Sequence, residues 1–162
     1  MEKKNQKKRK ERKKIVELYK GKYFEVVFQD WRQQFPGACI ISGHKERLSD
    51  MTSDEWKELG VLEKELERVC IKLFNTTMFN FACFMNNAYK DNVTPHVHFW
   101  FVPRYKEKIK LFDKTYEDRH FGYNFWKWGN SRLKNQKDIF TQEEREKIFK
   151  MMKKELNENN LK

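Results

Sequence analysis

The chain has 162 residues, a formal net charge of +11, and charged residues as 36% of its composition. That length suits one core, and no apolar run is long enough for a transmembrane span or a secretory leader, so the reading is one soluble domain with no membrane role. Cys39, Cys70 and Cys83 are scattered without pairing or ligand spacing, which points to a reducing, cytoplasmic setting.

Residues 1–14 carry nine Lys or Arg against Glu2 and Glu11, a net of +7, so most of the excess charge sits in this arm. Such a block reads as a solvated, disordered tail, or as an arm that meets nucleic acid phosphates. Ile15 to Tyr19 has the apolar spacing of a short helix closed by Gly21, and 15–162 reads as the folded domain.

Tyr23 to Phe28 and Ala38 to Ser42 read as strands. Thr52 opens a helix with a Thr-Ser-Asp-Glu capping box, and Trp56, Leu59, Leu62, Leu66, Val69 and Leu73 recur as its buried stripe. Met78 to Met85 and His96 to Val102 are the next strands, and a long polar loop follows, carrying Phe112, Tyr116, Phe121, Tyr123, Phe125, Trp126 and Trp128. It reads as packing over the sheet, as a flap over a ligand or as a homodimer contact. Thr141 and Glu144 form a second capping box, opening a last helix that buries Ile148, Phe149 and Met152. The sum is an α+β domain: an antiparallel sheet of about five strands, a long helix and a C-terminal helix.

The chemistry concentrates in Thr94-Pro95-His96-Val97-His98-Phe99-Trp100-Phe101-Val102-Pro103-Arg104. Side chains alternate across a strand, so His96, His98, Trp100 and Val102 share one face while Val97, Phe99 and Phe101 face the core. Two imidazoles on one face can be structural, can ligate a metal, or can serve as nucleophile and proton carrier. A metal would need a third ligand, and neither His44, His120 nor the cysteines offer one at ligand spacing, so no metal and no cofactor is expected.

This strand resembles the signature of the histidine triad superfamily, in which three histidines alternate with apolar residues and a Pro-Arg follows. The resemblance covers about 23–105, with 106–162 as an aromatic-rich extension. Counting back from Pro103-Arg104, His96 and His98 match the first two histidines and Trp100 the third, so the pattern is H-x-H-x-W. Pro36-Gly37-Ala38 is similar to the family's Pro-Gly-His strand, with Ala38 in place of the histidine. The resemblance implies the same α+β fold and a nucleotide substrate, with Phe28 and Trp31 at the base, Asp30 on the ribose, Asn86 and Asn92 near the phosphates, and Arg104 also in the nucleotide-binding set.

It further implies a nucleotide hydrolase or nucleotidyltransferase, of the dinucleoside polyphosphate or nucleoside phosphoramidate class. His98 would attack the α-phosphate through a nucleotidyl-histidine, with His96 and Trp100 completing the catalytic set. The loop before His96, Tyr89 to Pro95, has no glycine, so its grip on phosphate must differ from one built on glycine. The departures at Trp100 and Ala38 favour a rival reading, a non-catalytic nucleotide- or nucleic-acid-binding module that uses the basic arm.

Overall fold

The computed structural model describes residues 17–30, 33–123 and 139–158, without the side chains of Asn86, Asn87 and Glu158. The basic arm, Trp31, Phe125, Trp126 and Trp128 therefore lie outside the described residues. Five strands form one antiparallel sheet: β1 (Glu17–Lys20), β2 (Glu25–Phe28), β3 (Cys39–Ser42), β4 (Met78–Cys83) and β5 (His98–Arg104), in the spatial order β1-β2-β3-β5-β4. α1 (Ser53–Phe74) connects β3 to β4, and a five-residue helix, α2 (Asn86–Lys90), precedes β5. A separate hairpin, β6 (Ile109–Leu111) and β7 (Lys114–Tyr116), leads towards α3 (Gln142–Glu158).

Alternation places the core. Phe24, Val26 and Phe28 of β2, Cys39 and Ile41 of β3, and Phe99 and Phe101 of β5 form one buried cluster with Leu59, Leu62, Leu66 and Val69 of α1 and Ile148 and Met152 of α3. Both long helices thus cover the same sheet face. Each starts at the capping box read from the sequence. Thr52 N–H donates to Glu55 Oε2 at 2.7 Å and Glu55 N–H to Thr52 Oγ1 at 3.3 Å; Thr141 and Glu144 repeat the exchange at 2.7 and 3.3 Å. Arg68 and Lys72 of α1 both reach Glu155 of α3 at 2.8 Å, joining the helices.

Three expectations change. The stretch read as a short helix before Gly21 is strand β1, because Leu18 is buried in the sheet core and the chain turns back at Gly21, whose N–H donates to Phe24 O, so that β1 pairs with β2. Trp56 is 46% exposed, since the inward position of that first turn belongs to Glu55, buried as it caps. The stretch after β5 is no plain loop: Ile109, Leu111 and Tyr116 of the β6–β7 hairpin are buried in the main core.

The sheet's other face is partly covered. Phe35, Ala38 and Val102 form a small second cluster there, with Trp100 packed against it. The turn that supplies Phe35 and Ala38 is tightly held, as Gln33 Nε2 donates to Gln29 O and Ala38 O while Gln33 Oε1 accepts from Gly37 N–H. Gly37 has φ +89°, and a Cβ there would stand 2.8 Å from Cys70 Sγ, so backbone conformation and packing both require glycine.

Beyond Val102 lies Arg104, with 0% exposure. Its Nε donates to Asp118 Oδ2 at 2.7 Å and its Nη2 to Asp118 Oδ1 at 3.2 Å; Nη1 reaches Asn80 Oδ1 at 2.8 Å and Tyr123 O at 3.2 Å, and Nη2 also reaches His120 O. A guanidinium has five N–H donors, and all five are engaged here. Removing one partner of a buried pair strands the other charge, so Asp118→Ala should destabilise the fold by about 3–5 kcal/mol. Glu117→Ala, which alters a carboxylate 46% exposed, should change stability by less than about 0.5 kcal/mol. Urea unfolding of the two variants checks the contrast.

Candidate functional site

The site grows out of β5. In β5 itself, His98 opposes Ser42 of β3, and Trp100 lies between Ile40 of β3 and Ala82 of β4. The inward residues Phe99 and Phe101 are fixed by the core, so His98 and Trp100 are held on the opposite face. Regular pairing of β5 stops short of His96, next to Pro95, which has no N–H to offer a ladder. The link to β3 continues, however. Gly43 N–H donates to Val97 O at 2.8 Å and Val97 N–H to Lys45 O at 2.7 Å, which anchors the residue between the two histidines.

His96 and His98 therefore sit together as the sequence implies, with ring centroids 5.2 Å apart and planes at 43°. His98 Nδ1 lies 3.1 Å from His96 O. A carbonyl oxygen only accepts, so in that bond Nδ1 carries the proton and Nε2 keeps a lone pair for other chemistry. His96 is exposed, yet burial of part of its ring holds its pKa below the usual histidine value, with the neighbouring charges of His98 and His44 adding to the effect.

His44 belongs to this group, although the sequence reading set it aside. It falls between Gly43 and Lys45, the two residues bonded to Val97. The signal was available: His44 closely follows β3, and antiparallel pairing of β3 with the H-x-H strand brings the residues after β3 beside those before β5.

The loop before His96 makes its turn without glycine. Asn92 takes φ +52°, the left-handed region that asparagine tolerates better than most residues, just after α2, where Val93 N–H donates to Ala88 O at 3.1 Å. Asn86 is the first residue of α2. Trp100 and Ala38 are related. The indole packs on the cluster containing Ala38 and lies opposite the small Ala82 of β4.

Other expected site residues lie elsewhere. Phe28 is a core residue on the helix side, 2% exposed, with its ring edge-on to Phe149 of α3 at 5.7 Å, and a sealed ring cannot stack on a base. Arg104 has no donor left for a phosphate. Asp30 accepts from Arg145 Nε at 2.9 Å while its side chain remains 45% exposed. A cleft of about 510 Å³ opens beside the β6–β7 hairpin, lined by residues including Phe35, Lys108, Thr115, Arg119 and His120, but not by His44, His96 or His98. We assign chemistry to the imidazole face rather than to this cleft, because converging functional groups, not volume, define a reactive site. Among the described residues, no group of three or more His, Cys, Asp or Glu side chains is placed to hold a metal ion, and no helix is long and apolar enough to cross a membrane.

No family model and no curated protein matches the sequence. Solved structures do match its fold. A zinc-bound histidine triad family protein from Mycobacterium smegmatis aligns over 89% of this chain and 85% of its own, with TM-score 0.53 and 15% identity. Diadenosine triphosphate hydrolase from Plasmodium falciparum, in complex with cyclomarin A, aligns over 90% and 78%, with TM-score 0.56 and 20% identity. A hypothetical histidine triad nucleotide-binding protein from Sulfolobus tokodaii aligns over 88% and 84%, with TM-score 0.58 and 12% identity. The α+β architecture and five-stranded antiparallel sheet expected from the sequence are thus shared with solved proteins of one kind, and the chain has the histidine triad fold.

Proposed function

We propose that the protein is a nucleotide hydrolase or nucleotidyltransferase that attacks the α-phosphate through His98. The observation that carries this reading is the Nδ1 contact of His98 to His96 O, which fixes the tautomer and leaves the Nε2 lone pair for attack. The likeness in fold to a diadenosine triphosphate hydrolase supports a substrate with a bridged or substituted nucleotide phosphate.

Nε2 of His98 forms a bond to the α-phosphorus while the bond from phosphorus to the leaving group breaks, and the electron pair departs on the leaving atom. Water or another acceptor then attacks phosphorus and frees Nε2. The second step regenerates the neutral imidazole, so the enzyme is unchanged at the end of the cycle. His96 positions His98 both through its carbonyl oxygen and through its ring, which stands 5.2 Å from the His98 ring. Backbone and side-chain donors at Asn92, in the loop before His96, meet phosphate oxygens. Asp30, which accepts from Arg145 Nε and stays 45% exposed, is the acceptor for ribose hydroxyls. Phe28 and Arg104 leave the nucleotide-binding set, since both are sealed inside the protein.

Incubating the full chain with diadenosine polyphosphates and nucleoside phosphoramidates, quenching without acid and mapping by mass spectrometry should give a nucleotidyl adduct on His98. His98→Ala should abolish adduct and turnover, whereas His96→Ala should slow turnover and still permit the adduct. An adduct on His96 would show that the roles are reversed.

The depressed pKa of His96 gives a second expectation, read by NMR titration of its ring protons: a midpoint below that of a free histidine, rising in His44→Gln. The folded state then binds fewer protons at His96 than the unfolded chain does. Its contribution to stability is complete above the usual histidine value and declines as pH falls from there until the folded form is protonated too.

A further inference from the structure

Transfer from a basic leaving group needs a proton, and Trp100 cannot provide it, because an indole N–H donates hydrogen bonds without dissociating near neutral pH. The groups around the imidazole pair narrow the choice. Glu55 Oε2 accepts from both Thr52 N–H and Thr52 Oγ1, and these bonds hold the carboxyl below its usual range, so it stays an unprotonated cap. Cys83 opposes Phe99 and shares the core-facing side of the sheet, away from the imidazoles. The His96 ring stands beside His98, but its partial burial holds its pKa below the usual histidine value, so it is the poorer carrier of a proton. His44 is left: an imidazole exposed to solvent and held between the two residues that bond Val97, the residue separating His96 from His98.

We propose that His44, carried in from the end of β3, is the proton donor to the leaving group and fills the role left open where Trp100 occupies the third position of the motif. The proposal rests on the reading of His98 as nucleophile. As Nε2 of His98 bonds to phosphorus, the leaving atom takes the electron pair from the breaking bond and a proton from the His44 imidazolium. In the second step neutral His44 takes a proton from the attacking water, the new P–O bond forms, the P–N bond to His98 breaks, and both imidazoles return to their starting states. The net reaction consumes one water and needs no other reactant.

The test compares two substrates of the full-length protein: an adenosine 5′-phosphoramidate of a simple alkylamine, whose amine must leave protonated, and adenosine 5′-(4-nitrophenyl) phosphate, whose phenolate leaves as a stable anion. His44→Gln should lower kcat/KM for the alkylamine substrate by about 100-fold or more and change the nitrophenyl ester by less than about 3-fold. Loss of equal size on both substrates, or no loss on the amine, overturns the proposal. A wild-type protein that cleaves both, is silenced by His98→Ala and is indifferent to His44→Gln would refute the donor and keep the nucleophile. Wild type inert towards both substrates and forming no adduct would remove the nucleophile, and the donor with it. Because His44 is exposed, the variant should unfold at the wild-type urea midpoint, which separates chemistry from folding.

Discussion

The two-residue period of β5 is the constraint from which the rest follows. The strand lies between β3 and β4 and is held on both edges, so it cannot slip by one residue without sending Phe99 and Phe101 into solvent and His98 and Trp100 into the core. Burying the two phenylalanines thus aims the functional side chains at the other face. The same period carries Arg104 to that face at the far end of the strand, where a charged group can be enclosed only if its donors are met. Asp118, Asn80 and the carbonyls of His120 and Tyr123 meet them, and so tie the segment after β7 to the sheet. One end of the strand therefore presents imidazoles and the other encloses a guanidinium.

Local conflicts in the sequence turn out to be compensated in the structure. At Trp100 and Ala38, where the sequence resemblance leads one to expect histidines, a large ring and a small side chain are packed in one cluster. The loop before His96 lacks glycine, and Asn92 supplies the left-handed backbone instead. Neither change disturbs the contact between His98 Nδ1 and His96 O, on which the reading of the site depends.

Much of this was legible in the sequence because the signals are local. Both capping boxes, the stripe of α1 from Leu59 to Val69 and the face shared by His98 and Trp100 follow from spacings of two to four residues. What could not be read depends on distant partners. β1 is a strand because β2 pairs with it, while the run before Gly21 also fits a helical period. Phe28 is sealed by Phe149, 121 positions on, so an aromatic at the end of a strand gave no hint whether it faced a ligand or a helix. Arg104 looks like a phosphate ligand until Asp118 and Asn80 are seen around it. His44 was passed over for want of ligand spacing, yet sheet pairing brings it next to the H-x-H pair.

The central claim, that the imidazole face and not the cleft by the β6–β7 hairpin is where a nucleotide binds, is tested most directly by titrating isotopically labelled protein with adenosine monophosphate and following amide and imidazole resonances. The account predicts that the largest shifts fall on Asn92 to His98 and the His44 ring, and that they persist in an Arg119→Ala variant, which alters only the cleft. Shifts centred on Lys108 and Thr115 to His120, with the histidine rings unmoved, would contradict it.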